Sequence, residues 1–239
     1  MEVALNNYLG PDDIQTGSWI ETMHENGRMN KKAIKDTFFS SSSMGKTFRQ
    51  IAVNLISGKG INLPRVVNTS IKHIYKDSLG TNPACPTAEM VMRYDPESWK
   101  NYFKFAFVRN PFDFEISDYF WRTKRLDKKL DFTEFLKRKL KIKNDPEGVV
   151  PFPKTNWSIY SINNEVVLDY IGIFEELNNH LNLIGKRIGL PLEVGTFPKV
   201  KSNYEKPSNF KDLYDDENKE MVYLLHKNEF DYFGYTYPY

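Results

Sequence analysis

The chain has 239 residues, 40% hydrophobic and 27% charged, which is typical of a globular protein long enough for one sizeable domain. The net charge of +2 gives no case for a nucleic-acid-binding domain, which would carry a marked basic excess. A local cluster of Lys and Arg can still bind a small polyanion. One cysteine, Cys85, excludes an internal disulfide framework, and the absence of a signal-peptide pattern or a long apolar run predicts a soluble, cytoplasmic protein with no transmembrane segment.

The first sixty residues carry two helical patterns in an otherwise polar sequence. Residues 1–10, MEVALNNYLG, have apolar side chains at roughly helical spacing, and Gly10 and Pro11 end the pattern. Residues 11–60 are polar and broken, with one helical pattern near residues 47–57. This half of the chain therefore predicts helices joined by irregular segments.

Residues 61–100 hold a second irregular stretch, residues 79–99, LGTNPACPTAEMVMRYDPESW. Pro83 and Pro86 favour a loop there. Thr87 is a suitable N-cap for a short helix that follows the loop.

The pattern sharpens after residue 100, where predicted strands alternate with predicted helices. The predicted strands lie within residues 102–108 and 165–174, and the predicted helices span residues 111–126, 130–140, 175–190 and 215–235. The basic run at residues 137–143, KRKLKIK, is interpreted as a solvated helix face. This alternation predicts an α/β fold in which the sheet is mainly parallel.

An arginine stands where the first of these strands gives way to a helix. In open α/β sheets, ligands bind beyond the carboxyl ends of the strands, and Arg109 lies at such an end. Asn110 is a good N-cap and Pro111 fits the first helical turn, so the junction offers backbone N–H groups and the positive end of a helix dipole. The Arg109 guanidinium can grip two phosphate oxygens, and the Ser117 hydroxyl adds a further donor. These residues predict a phosphate site.

The same residues allow a purely structural interpretation. In that alternative, Arg109 forms a salt bridge with Glu115 or Asp118 on the following helix. The sequence alone leaves both interpretations open.

Residues 103–121, FKFAFVRNPFDFEISDYFW, resemble the 3′-phosphate-binding motif of sulfotransferase family 2, the Golgi-type carbohydrate sulfotransferases and their bacterial relatives. The family pattern is F-V-R-x-P, a variable stretch, and then S-x-Y. Six positions match it: Phe107, Val108, Arg109, Pro111, Ser117 and Tyr119. The similarity continues in matching order over roughly residues 85–239.

The resemblance implies a P-loop-NTPase-like sulfotransferase fold, with a central, mainly parallel sheet flanked by helices. It implies a single domain over residues 1–239, with a helical and irregular acceptor-side region at 1–100 and a nucleotide-binding half at 101–239. The implied activity is transfer of a sulfuryl group from 3′-phosphoadenylyl sulfate (PAPS) to a hydroxyl acceptor, a carbohydrate, without a metal ion. The implied partners are therefore PAPS, its desulfated product and that acceptor, and no nucleic acid.

The resemblance also assigns roles to individual residues. Arg109 and Ser117 would bind the 3′-phosphate of PAPS, and Lys201 and Ser202 would reach the same nucleotide. Glu175, which opens the helix after the second strand, is expected to be a structural cap rather than a ligand.

Two departures from the family pattern bear on activity. Relatives often carry a second arginine where Phe114 stands, and a His-x-Thr-Ala segment where this chain has Cys85-Pro86-Thr87-Ala88. Cys85 is interpreted as a small loop or core residue rather than a nucleophile. The catalytic base stays unassigned among the four histidines, His24, His73, His180 and His226.

The family holds the 5′-phosphosulfate with an N-terminal strand, a P-K-x-G-x-T-S loop and the helix that follows. No such sequence precedes the 3′-phosphate motif here, yet residues 1–10 look like the continuation of that helix. The hypothesis is that the sequence starts at an internal methionine, so that the first strand and loop are absent. The alternative function is a catalytically inactive module that keeps the fold and binds a glycan or nucleotide.

Residues 40–56, SSSSMGKTFRQIAVNLI, resemble part of a P-loop. They contain Gly45-Lys46-Thr47 before a helix, but Ser40 stands where the consensus has its first glycine, and the preceding sequence is a poor strand. Three interpretations remain: the P-loop of an ATP- or GTP-dependent kinase, a substitute phosphosulfate loop, or a helix start with a serine-rich approach.

Overall fold

The computed structural model describes residues 2–58, 60–124, 126, 130–151, 155–192 and 209–239. The chain divides into two compact units. The first unit comprises Met1–Phe103 and Leu181–Val200, and the second comprises Lys104–His180 and Lys201–Tyr239.

The described part of the first unit is helical. Its helices are α1 (Glu2–Leu5), α2 (Trp19–His24), α3 (Lys31–Ile34), α4 (Met44–Ile56), α5 (Leu63–Leu79), α6 (Ala88–Tyr94) and α7 (Pro96–Asn101). A 3₁₀ turn at Asn6–Tyr8 continues α1, and a π-helix at Lys35–Phe39 continues α3. The helical pattern predicted for residues 1–10 is confirmed, and so is the Thr87 cap, whose Oγ1 accepts from Met90 N at 3.2 Å.

Helix α5 is the centre of the first unit, and no helix was predicted there from the sequence. Asn62 caps the helix by accepting a hydrogen bond from Arg65 N at 3.0 Å, and Pro64 occupies the first turn, where a missing N–H costs nothing. One face of the helix is buried against Trp19 and Ala33. The buried hydrophobic residues on α5 are Val66, Val67, Ile71, Tyr75 and Leu79.

Two hydroxyl contacts tie α5 to the neighbouring helices. The Tyr75 hydroxyl donates to Asp36 Oδ2 at 2.5 Å, and Lys32 Nζ lies 2.5 Å from Asp36 Oδ1. Burial and the adjacent Asp36 carboxylate raise the pKa of Tyr75, so its hydroxyl stays a donor. Thr47 Oγ1 of α4 lies 2.6 Å from Ser70 Oγ of α5, and both groups are buried.

The serine-rich segment is a helix start. The residues before it, Lys31–Phe39, are helical, so no strand leads into the segment as it would in a P-loop. Residues 41–43 form a turn, and Gly45, Lys46 and Thr47 already lie in the first turn of α4. The side chains of Lys46 and Thr47 do not converge on one anion site, because Thr47 is buried and Lys46 Nζ lies 3.0 Å from His73 Nε2.

The described part of the second unit mixes strands and helices. The strands are β1 (Phe105–Val108), β2 (Ser161–Ile162), β3 (Glu165–Val166) and β4 (Tyr170–Ile173). The helices are α8 (Pro111–Thr123), α9 (Phe132–Lys139), α10 (Trp157–Tyr160), α12 (Asp216–Leu225) and α13 (Lys227–Phe233); α11 (Leu177–Ile188) begins in this unit and ends in the first. The last predicted helix is thus two helices, which meet at His226.

Strands β1 and β4 form the parallel pair that the alternation of strands and helices predicted. In their register, Phe105 faces Tyr170 and Val108 faces Ile173. Strands β2 and β3 form a short antiparallel hairpin. Because β1 and β4 run in the same direction, their carboxyl ends, which lead into α8 and α11, lie at the same edge of the sheet.

Aromatic side chains dominate the core of the second unit. The Phe112 ring is fully buried, and four rings surround it at centroid distances between 5.0 and 5.5 Å, three of them edge-on. These rings belong to Tyr214, Tyr223, Phe230 and Tyr237. They join α8 to the last helices and to the segment that follows them.

The interpretation of residues 137–143 as a solvated face was wrong at two positions. Lys139 is fully buried and pairs with Glu115 at 2.5 Å. Arg138 is 8% exposed, and its guanidinium contacts three carboxylates, those of Glu134, Asp145 and Glu147. A basic run can therefore be half buried when acidic partners come from elsewhere in the chain.

The central position of α5 gives a stability prediction. Ile71→Ala should lower the free energy of unfolding by about 2–5 kcal/mol, because it removes three carbons from a closely packed core. The neighbouring Lys72→Ala, on the exposed side of the same helix, should change it by less than about 0.5 kcal/mol. Urea unfolding of the three proteins measures both values, and equal losses in the two variants would contradict this packing.

Candidate anion-binding site

The turn between β1 and α8 is held by hydrogen bonds to both its backbone and its cap. Asn110 Oδ1 accepts from Phe112 N at 3.0 Å, and Asn110 Nδ2 donates to the carbonyl oxygen of Thr236 at 2.9 Å. Glu175 Oε1 accepts from Asn110 N at 2.7 Å. The Glu175 carboxylate, which follows β4, therefore locks the loop that follows β1, in keeping with a structural role for this residue.

Three backbone N–H groups of this turn are already engaged. The Asn110 and Phe112 amides make the hydrogen bonds just described, Pro111 has no N–H, and Phe114 N donates to Asn110 O at 2.9 Å. The sequence-based expectation that several amides would point at a ligand is thus wrong for these positions. An anion at this place would be bound chiefly by side chains.

Arg109 lies at the carboxyl end of β1, and its guanidinium is directed along α8. Nη1 donates to Ser117 Oγ at 3.2 Å, and Nη2 lies 3.7 Å from Asp113 Oδ1. The guanidinium carbon lies 5.1 Å from the centre of the Phe174 ring, a cation–π distance. The side chain is 29% exposed, and its Nε is buried with no hydrogen-bond partner among the described residues.

The two salt bridges considered for Arg109 from the sequence are not formed. Glu115 pairs with Lys139, and Asp118 pairs with Arg122 Nε at 2.6 Å. Arg109 instead approaches Asp113, four residues along the chain, at a distance longer than a normal hydrogen bond. The arginine and serine of the predicted motif are therefore brought together, with most of the guanidinium N–H groups not used by the described residues.

The segment 235–239 contacts the junction at three points. The Tyr235 hydroxyl donates to Glu175 Oε2 at 3.3 Å, and the Thr236 carbonyl accepts from Asn110. The Tyr239 hydroxyl donates to Asp113 Oδ1, the same oxygen that faces Arg109. Burial and this hydrogen bond raise the pKa of Tyr239, so the hydroxyl remains a donor near neutral pH.

A buried ionic cluster lies under α8. Glu115 Oε1 accepts from Lys139 Nζ at 2.5 Å and lies 2.7 Å from His226 Nε2, and all three side chains are almost fully buried. His226 Nδ1 lies 3.4 Å from Glu229 Oε1, which also accepts from the Tyr160 hydroxyl at 3.3 Å. The cluster connects α8, α9, α10 and α13 through charged groups that are buried away from solvent.

The cluster shifts the pKa values of its members. Burial raises the pKa of the Glu115 carboxyl, but the Lys139 charge and the hydrogen bond to His226 outweigh burial and lower the pKa overall. Burial lowers the pKa of His226, but its hydrogen bonds to Glu115 and Glu229 outweigh burial and raise the pKa above 6.5. The folded protein therefore favours a carboxylate at Glu115 and an imidazolium at His226.

The structure places the remaining candidates as follows. Lys201 and Ser202 lie outside the described residues. Three histidines have partners within their own unit: His73 with Lys46, His226 in the buried cluster, and His180, whose Nδ1 lies 2.6 Å from the Tyr170 hydroxyl. His24 is exposed in the last turn of α2, and Cys85 is exposed before α6.

Two side chains at the junction were missed by sequence reasoning. Asp113 could have been found, because it stands four residues after Arg109 in the first turn of a predicted helix, where such pairs meet. Tyr239 could not, because 126 positions separate it from Asp113 and no local pattern links them.

Comparison with known proteins identifies the family. The sequence profile of the sulfotransferase family matches residues 43–236, well over half of the chain. The chain belongs to the sulfotransferase family. The family resemblance seen in the sequence is thereby confirmed, and the mixed fold with its small parallel sheet fits a sulfotransferase of the α/β class.

An uncharacterized protein of Archaeoglobus fulgidus is similar to part of this sulfotransferase-family chain. The two are 32% identical over 118 residues, which make up 48% of this chain and 92% of the archaeal protein. No solved structure matches the chain. Within the described residues, no helix has the length and apolar character needed to cross a bilayer, and no group of three or more His, Cys, Asp or Glu side chains could hold a metal ion.

The buried cluster predicts how stability depends on pH. Since the pKa of His226 is raised on folding, its contribution to stability is complete below pH 6.5 and is lost as the pH rises through the higher pKa of the folded state. His226→Gln should be less stable than the parent at about pH 6, below the ordinary histidine pKa, and should lose less stability as the pH rises above that pKa.

Urea unfolding at a series of pH values checks this prediction. His73→Gln is the matched control for the loss of an imidazole, because His73 is partly exposed and lies outside the cluster. If His226→Gln and the parent showed parallel pH profiles, the imidazole would not be charged in the folded protein.

Proposed function

We propose that this member of the sulfotransferase family uses PAPS as donor and transfers its sulfuryl group to a hydroxyl of a carbohydrate. The observation that supports the proposal is the pairing of Arg109 Nη1 with Ser117 Oγ at 3.2 Å, at the carboxyl end of β1 and the start of α8. These are the two residues that the family resemblance assigns to the 3′-phosphate.

The side chains present suit a doubly charged phosphate. The guanidinium can offer Nη1 and Nη2 to two oxygens, because Nη1 uses one N–H for Ser117 and Nη2 makes just a long contact with Asp113. The Ser117 hydroxyl, already beside Nη1, can turn its proton to a third oxygen. Arg109 and Ser117 would therefore anchor the 3′-phosphate, and Lys201 and Ser202 are proposed to reach the same nucleotide.

The contribution of this chain to sulfuryl transfer is positioning. Holding the 3′-phosphate fixes the donor so that the sulfur can meet the acceptor oxygen in line, which replaces a bimolecular encounter by an oriented one. The S–O bond to the acceptor forms as the S–O bond to the 5′-phosphate breaks, and the acceptor's proton passes to a base. We assign no residue to that base, and we propose no metal ion in the reaction.

Binding of adenosine 3′,5′-bisphosphate, the desulfated product, tests the anchor. At 100 times its Kd the ligand should stabilise the protein by about 2.7 kcal/mol, and adenosine 5′-monophosphate, which lacks the 3′-phosphate, should stabilise it far less. Arg109→Ala should abolish the difference between the two nucleotides. Thermal unfolding with each ligand measures the effect.

Arg122→Ala is the matched control for this experiment, since Arg122 lies on α8 but pairs with Asp118 and should leave the preference unchanged. Equal stabilisation of the parent by both nucleotides would contradict a 3′-phosphate site. Transfer of labelled sulfate from PAPS to a panel of sugars tests the reaction itself. A protein that prefers the bisphosphate but transfers no sulfate would be the inactive binding module.

The Tyr239–Asp113 contact predicts a second effect on nucleotide affinity. The Asp113 carboxylate competes with the 3′-phosphate for Arg109, and the Tyr239 hydroxyl draws part of its charge away. Tyr239→Phe should therefore weaken bisphosphate binding by about fivefold, which corresponds to about 1 kcal/mol. This loss is less than that of a full hydrogen bond to a charged group, because the effect is transmitted through Asp113. Asp113→Asn should strengthen binding, because it removes a like charge beside the phosphate.

A double-mutant cycle, measured by calorimetric titration, separates this mechanism from a general effect on folding. Because Tyr239 acts through Asp113, Tyr239→Phe should have little effect when Asp113→Asn is already present. Additive effects of the two substitutions on Kd would rule out that route.

A further inference from the structure

Helix α4 exposes its apolar side to solvent. Phe48 is 53% exposed, Leu55 is 57% exposed and Ile56 is 87% exposed. A surface helix normally turns such residues to the core and its polar residues outward. In α4 the wholly buried residue is Thr47, which bonds Ser70 instead.

The exposed apolar residues form a strip rather than isolated positions. Met44, Phe48 and Leu55 follow one another at spacings of four and seven residues, which places them on one side of α4. The helix itself is about 20 Å long. Phe39 precedes this strip and Ile61 follows it, and both are exposed. Together, Met44, Phe48, Leu55 and Ile56 are called here the α4 strip.

The sequence around the α4 strip is basic without compensation. Residues 37–76 contain six Lys and Arg residues and no Asp or Glu, although the whole chain has a net charge of only +2. By the helical angle of 100° per residue, Arg49 lies next to Ile56 at the edge of the apolar strip away from Thr47, whereas Lys46 lies on the side of α4 opposite Leu55. An apolar strip bordered by a cation is found in helices that lie in a membrane interface.

We propose that the α4 strip docks on the surface of an anionic lipid bilayer, with α4 lying in the plane of the interface. The apolar side chains would enter the boundary between headgroups and acyl chains, and Arg49 would contact an anionic headgroup. The lack of carboxylates over residues 37–76 favours this partner, because these residues bring six positive charges and no negative charge to the contact. The inference is independent of sulfuryl transfer.

Vesicle co-sedimentation tests the proposal on the full chain. The protein should bind vesicles of phosphatidylcholine and phosphatidylserine and bind pure phosphatidylcholine vesicles much more weakly. Added salt should release it, because screening shortens the reach of each surface charge. Arg49→Gln should weaken binding to the anionic vesicles by about fivefold, and Lys46→Gln, on the other side of α4, should weaken it less.

The apolar part of the interaction has a matched control. Leu55→Ser should reduce partitioning to anionic vesicles by about tenfold, because it removes an apolar side chain that would enter the bilayer. Leu224→Ser makes the same change at a leucine that is 58% exposed on α12, and should leave binding unchanged. Circular dichroism confirms that each variant is folded, and the two charge variants decide the question if a serine variant is not.

Two results would overturn the proposal. One is equal binding to both kinds of vesicle, or none to either. The other is self-association in analytical ultracentrifugation that Leu55→Ser abolishes while vesicle binding is unaffected, because the α4 strip would then be an interface between copies of this chain.

Discussion

The carboxylate of Glu115 is fully buried, and the second unit is arranged to neutralise it. Lys139 contacts it from α9 at 2.5 Å and His226 from the start of α13 at 2.7 Å. Removing one partner from such a cluster leaves an uncompensated buried charge, which costs far more than a lost surface ion pair. Helices α8, α9 and α13 are thereby fixed to one another at this side chain.

Fixing α8 fixes the candidate site, because Ser117 lies two residues after Glu115 on the same helix. The helix start is held separately, by the Asn110 cap and by Glu175 after β4. The buried charge of Glu115 within α8 and the capped turn at the start of α8 keep the Arg109–Ser117 pair in place. A site that must hold an anion in one orientation benefits from such a rigid support.

Several parts of this arrangement could be predicted from the sequence. The order F-V-R-N-P places an arginine, a cap and a proline where a strand meets a helix, and all three occupy those places. The buried role of Lys139 could not be predicted, because its partner Glu115 is 24 positions away and a run of lysines looks the same whether solvated or paired. Helix α5 was missed since its polar residues and Pro64 hide a buried face whose partners, such as Trp19, are distant in sequence.

The arginines described in the second unit show why Arg109 is the candidate anion ligand. Arg138 is enclosed by three carboxylates, and Arg122 has Asp118 at 2.6 Å. Those two guanidinium groups are matched by charge and would have to lose an ion pair before they could bind a ligand. Arg109 has a neutral hydroxyl at 3.2 Å and a carboxylate at 3.7 Å that Tyr239 also engages. Its charge is oriented by the protein yet incompletely compensated by the described residues, which is the electrostatic condition for binding an anion from solution.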